Sequence, residues 1–171
     1  MNDGIHYTSL VNLENGQAIQ KFDYEKGEIK ETLVKPGEVK IGDNVLKIYS
    51  YELSPDESKI LLTTASKKIY RHSTLDENYI FELETRKLIP LADNKRQMHA
   101  TFSPDGSKIG YVRDNNLFYK DLATGKEYQI TTDGAKNQII NGSSDWVYEE
   151  EFKLVRAFEW SPDSKHIAFY R

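Results

Sequence analysis

The chain has 171 residues, the size of one ordinary domain, with 38% hydrophobic and 29% charged residues, a composition that excludes both disorder and a membrane-spanning bundle. No run approaches the roughly 20 apolar residues a membrane helix needs. The net charge of −4 argues against nucleic acid as a partner. The absence of Cys excludes disulfides, thiol nucleophiles and Cys-based zinc sites. The N-terminal "MNDGIHYTSL" has neither the basic nor the apolar region of a signal peptide.

In chain order, "GQAIQKFDYEKGEIKETLV" (16–34) alternates as two strands about a Gly-containing turn. "LSPDESKILLTT" (53–64) predicts strand, tight turn, strand: Pro presets φ, Asp caps the turn, and apolar residues follow. "NYIFELETRKLIPL" (78–91) supplies two more strands. The pattern returns in "FSPDGSKIGYVR" (102–113) and "DNNLFYKDLATGKEYQIT" (114–131), then starts again in "WSPDSKHIAFYR" (160–171). Four antiparallel strands per Ser-Pro-Asp make one propeller blade. With strands labelled a to d, the chain reads b-c-d, a-b-c-d, a-b-c-d, a-b. The fold class expected is all-β: a partial β-propeller of about three four-stranded antiparallel blades, with a short helix carrying the Glu motif. Blade parts fall at about 1–44, 45–95 and 96–140, an inserted segment at 141–152, and the start of a further blade at 153–171. Closure takes four to eight blades, so the expectation is a piece of a larger propeller.

The repeat also measures its own interruptions. Ser54 to Asn78 is about eleven residues longer than Ser103 to Asn116, and the excess holds "SKKIYRHSTLDE" (66–77). A second excess of about twenty residues precedes Ser161 and holds "NGSSDWVYEEEF" (141–152). Insertions in a repeat scaffold go to loops, where binding residues concentrate. One insertion delivers Arg71 and His72, the other Glu149, Glu150 and Glu151 beside Trp146 and Tyr148. Asp145 is a good N-cap, so the second insertion predicts a short helix. Neighbouring helical residues point about 100° apart, which lets two adjacent Glu approach one small cation. Carboxylates held close repel, and a bound ammonium removes that penalty. Two readings stand at this point, a solvated acidic loop and a cation-receiving pair. Calcium is disfavoured because no Asp-rich spacing supplies its six or more oxygens. The four His are scattered without a zinc pattern, so no metal or cofactor is expected; His99 and His166 read as structural. Asn141-Gly142-Ser143 fits a glycosylation sequon.

Trp-Val-Tyr-Glu-Glu-Glu (146–151), Tyr-Arg-His-Ser (70–73) and the Ser-Pro-Asp repeats together closely resemble the N-terminal β-propeller of the dipeptidyl peptidase IV family of serine peptidases. The resemblance covers Tyr49 to Arg171, and more loosely the first 48 residues. The Ser-Pro-Asp repeat alone is shared with prolyl oligopeptidases and non-catalytic TolB-type propellers; the two other motifs, in this order, are specific. The resemblance implies that Glu150 and Glu151 grip the free α-amino group of a peptide and that Arg71 contacts the penultimate carbonyl. Glu149, Tyr148, Trp146 and His72 would support them. It implies release of N-terminal dipeptides with Pro or Ala second. "FKLVRAFEW" is about one residue shorter than the family pattern, so counting from that side moves the pair to Glu149 and Glu150; the contiguous Trp-Val-Tyr side gives Glu150 and Glu151. The family's Ser, Asp and His reside in an α/β-hydrolase domain, with Ser in a Gly-x-Ser-x-Gly elbow that does not occur in this sequence. The expectation is therefore a chain without catalytic residues of its own, exported or periplasmic in its parent protein, whose exposed blade edges favour self-association. Two alternatives remain: a TolB-type interaction propeller, and the propeller of a tripeptidyl peptidase with a longer ruler.

Overall fold

Each Ser-Pro-Asp turn in the computed structural model, which describes residues 1–93 and 95–171, is built the same way. The Ser hydroxyl donates to the Asp carboxylate at 2.6, 2.7 and 2.6 Å for Ser54–Asp56, Ser103–Asp105 and Ser161–Asp163. The same Ser oxygen accepts the amide that opens the next strand, from Lys59, Lys108 and His166. The residue after Asp takes a left-handed φ each time: Glu57 at 57°, Gly106 at 69° and Ser164 at 59°.

These turns and the hairpins between them give fifteen strands and one helix among the described residues. Strands β1 (His6–Leu13), β2 (Gly16–Asp23) and β3 (Ile29–Val34) form an antiparallel three-stranded sheet. A small hairpin, β4 (Lys40–Ile41) and β5 (Asn44–Val45), follows; the sequence pattern did not anticipate it. Strands β6 (Ser50–Leu53), β7 (Lys59–Lys68), β8 (Thr74–Glu82) and β9 (Leu88–Pro90) make a four-stranded sheet in sequence order. Strands β10 (Met98–Phe102), β11 (Lys108–Arg113), β12 (Asn116–Asp121) and β13 (Glu127–Gln129) make the next. After helix α1 (Trp146–Phe152), β14 (Phe158–Trp160) and β15 (Ile167–Phe169) pair as a two-stranded sheet. The order of three, four, four and two strands is that of consecutive propeller blades.

One expectation is corrected. The 66–77 insertion is not a loop: β7 runs on to Lys68 and β8 begins at Thr74, so the added residues lengthen a hairpin. The β-tolerant run Thr63-Thr64-Ala65-Ser66 continues the strand, and the Ser66 hydroxyl donates to Asp76 at 2.6 Å across the extension. Only the residues around 69–73 turn, closed by the Ile69 amide donating to the Ser73 carbonyl at 2.9 Å.

The chain divides into two compact units, Met1–Ala65 with Tyr79–Ile89, and Ser66–Asn78 with Pro90–Arg171. In the first, Ile19, Leu33 and Val34 of one sheet bury against Ile60, Leu62 and Phe81 of the next. In the second, Val112 and Leu117 bury against Phe158, with Met98 and Ile167 around them. Central strands are covered on both faces, so β11 is buried continuously from Ile109 to Val112 instead of alternating. Each such aliphatic side chain contributes roughly 1.5–3 kcal/mol on burial. Between β11 and β12, Asp114 and Asn115 both take positive φ, the two-residue turn whose twist matches the strands it joins.

Candidate functional site

Helix α1 is short because its limits are chemical. The Asp145 carboxylate accepts the Tyr148 amide at 2.9 Å and starts it. Lys153, with φ at 56°, ends it in a left-handed cap whose amide donates to the Glu149 carbonyl at 3.1 Å. Its base is pinned on both sides. The Gly142 amide donates to the Tyr170 carbonyl at 3.0 Å, and the Ala157 amide donates to the Gly142 carbonyl at 3.1 Å. The helix is thus an excursion from one closed neck rather than a loose loop.

The helical pitch sends the three Glu in three directions. Glu149 points inward and is 0% exposed. Its carboxylate accepts the His72 amide at 2.6 Å, the Ser73 amide at 3.3 Å and the Ser73 hydroxyl. Burial alone would raise its pKa, but the Ser73 hydroxyl and the two amides outweigh that, and the carboxyl lies below its ordinary value. Glu150 is 20% exposed at its side chain and accepts an ion pair from Arg71, Nε to Oε1 at 3.2 Å. The Arg71 side chain is 70% exposed. Glu151 lies on the exposed outer side and takes no part in these contacts. Trp146, Val147, Tyr148 and Phe152 are also exposed, with the Tyr148 and Phe152 rings 5.5 Å apart. His72 contributes its backbone amide to the site while its residue remains exposed.

The structure therefore brings Arg71, His72, Glu149 and Glu150 together within the second unit. It adds Ser73, which sequence reasoning quoted within the Tyr-Arg-His-Ser motif without giving it a task. The signal was a Ser at the hairpin tip with two backbone amides to satisfy, readable only once the tip and helix are adjacent. Beneath the helix, His99 Nε2 shares a 2.9 Å hydrogen bond with the Ser143 hydroxyl. No group of three or more His, Cys, Asp or Glu among the described residues is arranged to hold a metal ion. The arrangement offers the part-exposed Glu150 carboxylate beside the exposed Arg71 guanidinium, with Glu151 next to it on the outer side of the helix.

Comparison with known proteins bears on the family and the fold. Residues 54–171 match the family described as the dipeptidyl peptidase IV N-terminal region. A probable dipeptidyl-aminopeptidase B of Phaeosphaeria nodorum is 38% identical over 157 residues, covering 88% of this chain and 17% of that protein. The chain thus spans about a sixth of the length of the curated relatives it matches. The crystal structure of Porphyromonas gingivalis dipeptidyl peptidase 4 superimposes with a TM-score of 0.88 at 37% identity, over 99% of this chain and 24% of that one. TolB of Acinetobacter baumannii, at 19% identity and a TM-score of 0.53 over 99% of this chain and 36% of that one, shares the fold alone. With two motif-bearing insertions on a Ser-Pro-Asp blade repeat and these likenesses, the chain belongs to the dipeptidyl peptidase IV N-terminal region family.

Proposed function

We propose that this chain is the propeller portion of a dipeptidyl peptidase IV-like exopeptidase that removes N-terminal Xaa-Pro or Xaa-Ala dipeptides. Glu150 and Glu151 receive the substrate's α-ammonium, Arg71 receives the penultimate carbonyl, and the propeller gates access to the chemistry. Fixing the amine makes the carboxylates a ruler, so that the scissile bond falls two residues in. The observation that carries this reading is the pairing of Arg71 with Glu150, which joins the tips of two separate insertions in one exposed site. The complete burial of Glu149 supports Glu150 and Glu151 as the ligand pair over Glu149 and Glu150, since Glu149 is occupied by Ser73 and His72. An exposed ion pair contributes only about 0–1 kcal/mol, so a substrate ammonium opens the Arg71–Glu150 contact at little cost. Serine, acid and histidine for acyl transfer are proposed to come from a hydrolase domain of the parent protein, and export of that protein to the periplasm is part of the same proposal.

The test is release of chromophore from a Gly-Pro substrate by the full-length polypeptide that carries this chain. Wild type is expected to be active, and Glu150→Ala with Glu151→Ala to lose most activity while remaining folded. Equal activity of the two would sink the amine clamp. Activity on a tripeptide substrate alone would lengthen the ruler by one residue. Activity on neither would favour an interaction propeller of the TolB kind.

A further inference from the structure

A fully buried carboxylate with three donors, all from a turn 76 or 77 residues away in sequence, is expensive to build unless its placement matters. Glu149 accepts three of that turn's donors. The His72 and Ser73 amides, which a tight hairpin tip leaves unpaired, both end on its Oε1, and the Ser73 hydroxyl ends on Oε2. Arg71 is the residue immediately before the clamped pair, and Glu150 the residue immediately after the clamping one. Fixing one bidentate junction therefore fixes the relative position of both neighbours. Arg71 itself is too exposed to be positioned by packing, and its single ion pair is weak.

We infer that Glu149 is a positioning residue that clamps the 69–73 hairpin tip to helix α1 and so holds Arg71 against Glu150. This rests on the amine-clamp reading for its consequence in activity, but not for the clamp itself. A carboxylate is required because all three partners are donors. A neutral amide of the same shape presents one acceptor and turns an N–H₂ toward the remaining donors.

The experiment uses the full-length polypeptide, with Glu149→Gln and, as a milder variant, Ser73→Ala. Backbone hydrogen exchange by mass spectrometry on peptides spanning 69–74 reads the clamp directly. Glu149→Gln is expected to speed exchange there by about tenfold or more, with Ser73→Ala intermediate and core strand peptides unchanged. Unchanged exchange in the tip overturns the clamp. Dipeptide release then reads the consequence through a double-mutant cycle with Arg71→Ala. Glu149→Gln is expected to lower kcat/KM by roughly tenfold or more alone, and by less than about threefold once Arg71 is already Ala. Equal losses in both backgrounds overturn positioning through Arg71, because a general loss of structure adds independently. If Arg71→Ala and the Glu150, Glu151 double variant are themselves neutral, the amine clamp fails and with it the role in activity, while the exchange result still decides whether Glu149 holds the turn.

Discussion

His99 shows how one side chain sets a pH dependence. It sits in β10 with φ at 59°, where the β10–β11 register shifts between Met98 and Thr101. Burial disfavours its imidazolium and Arg156 adds to that, against a smaller pull from Glu149, so its pKa is pushed down to about 4. The unfolded chain binds a proton near pH 6.5 that the folded chain refuses until about 4. Stability from this group is complete above pH 6.5 and is lost as pH falls toward 4, a change on the order of 3 kcal/mol. Asn accepts a left-handed φ, so His99→Asn is expected to flatten urea stability between pH 6.5 and 4.5; an unaltered slope would put its origin elsewhere. Gly142 is a second residue-scale constraint. Its φ is 76°, and an added Cβ would stand 3.2 Å from both Leu117 Cδ1 and Val112 Cγ2. Gly142→Ala is expected to cost about 1–3 kcal/mol, read as a fall in Tm; no change in Tm would mean that the neck of the α1 excursion yields freely.

The Ser-Pro-Asp turn is the repeating element, and its three copies differ most at the residue after Asp. Only Gly106 suits the left-handed backbone without a side-chain penalty; Glu57 and Ser164 adopt it under strain. Ser164 is recruited for another purpose, its buried hydroxyl accepting the Asp105 amide at 3.0 Å. Glu57 has no such buried role. Glu57→Gly is therefore expected to stabilise by about 0.5–1 kcal/mol in chemical denaturation, whereas Ser164→Gly gains less or loses stability. A destabilised Glu57→Gly would show that the contact Glu57 accepts from the Asn2 amide outweighs the backbone strain. These local features were legible from sequence, since turn, strand and N-cap preferences act over a few residues. The β4–β5 hairpin was not, because its two-residue strands carry no period long enough to recognise.

Across the molecule, carboxylates are held ionised by the fold. The hydroxyls of Ser54 and Ser58 hold Asp56 at about 2, and similar bonds lower Asp105 and Asp163. The Arg113 guanidinium, bound bidentately at 2.7 Å, lowers Glu127. For groups whose folded pKa is depressed, the stabilisation is present above the unfolded value near 4 and disappears as pH falls through the folded ones. A denaturation series is expected to show a second, steeper loss between about pH 4 and pH 2, separate from the His99 limb above it. Retained stability at pH 2 would contradict the lowered values. The exposed Tyr148 and Phe152, one helical turn apart with rings 5.5 Å from each other and Phe152 70% exposed, also form an apolar face on α1. The chain on its own is expected to sediment in a concentration-dependent way, and a single monomer at all concentrations would count against association through this face.

The sequence by itself determined the blade repeat, the places where it is interrupted, the helix cap at Asp145 and the two motifs that fall on the interruptions. Each is encoded within a few neighbouring residues, where backbone sterics and local hydrogen bonds decide. Only the tertiary structure decided which of three chemically identical Glu turns inward. Glu149, Glu150 and Glu151 have the same propensity and adjacent positions, so nothing local separates them. The choice comes from donors at His72 and Ser73, far away in the chain, which demand a carboxylate at one angle of the helix and leave the next one to Arg71.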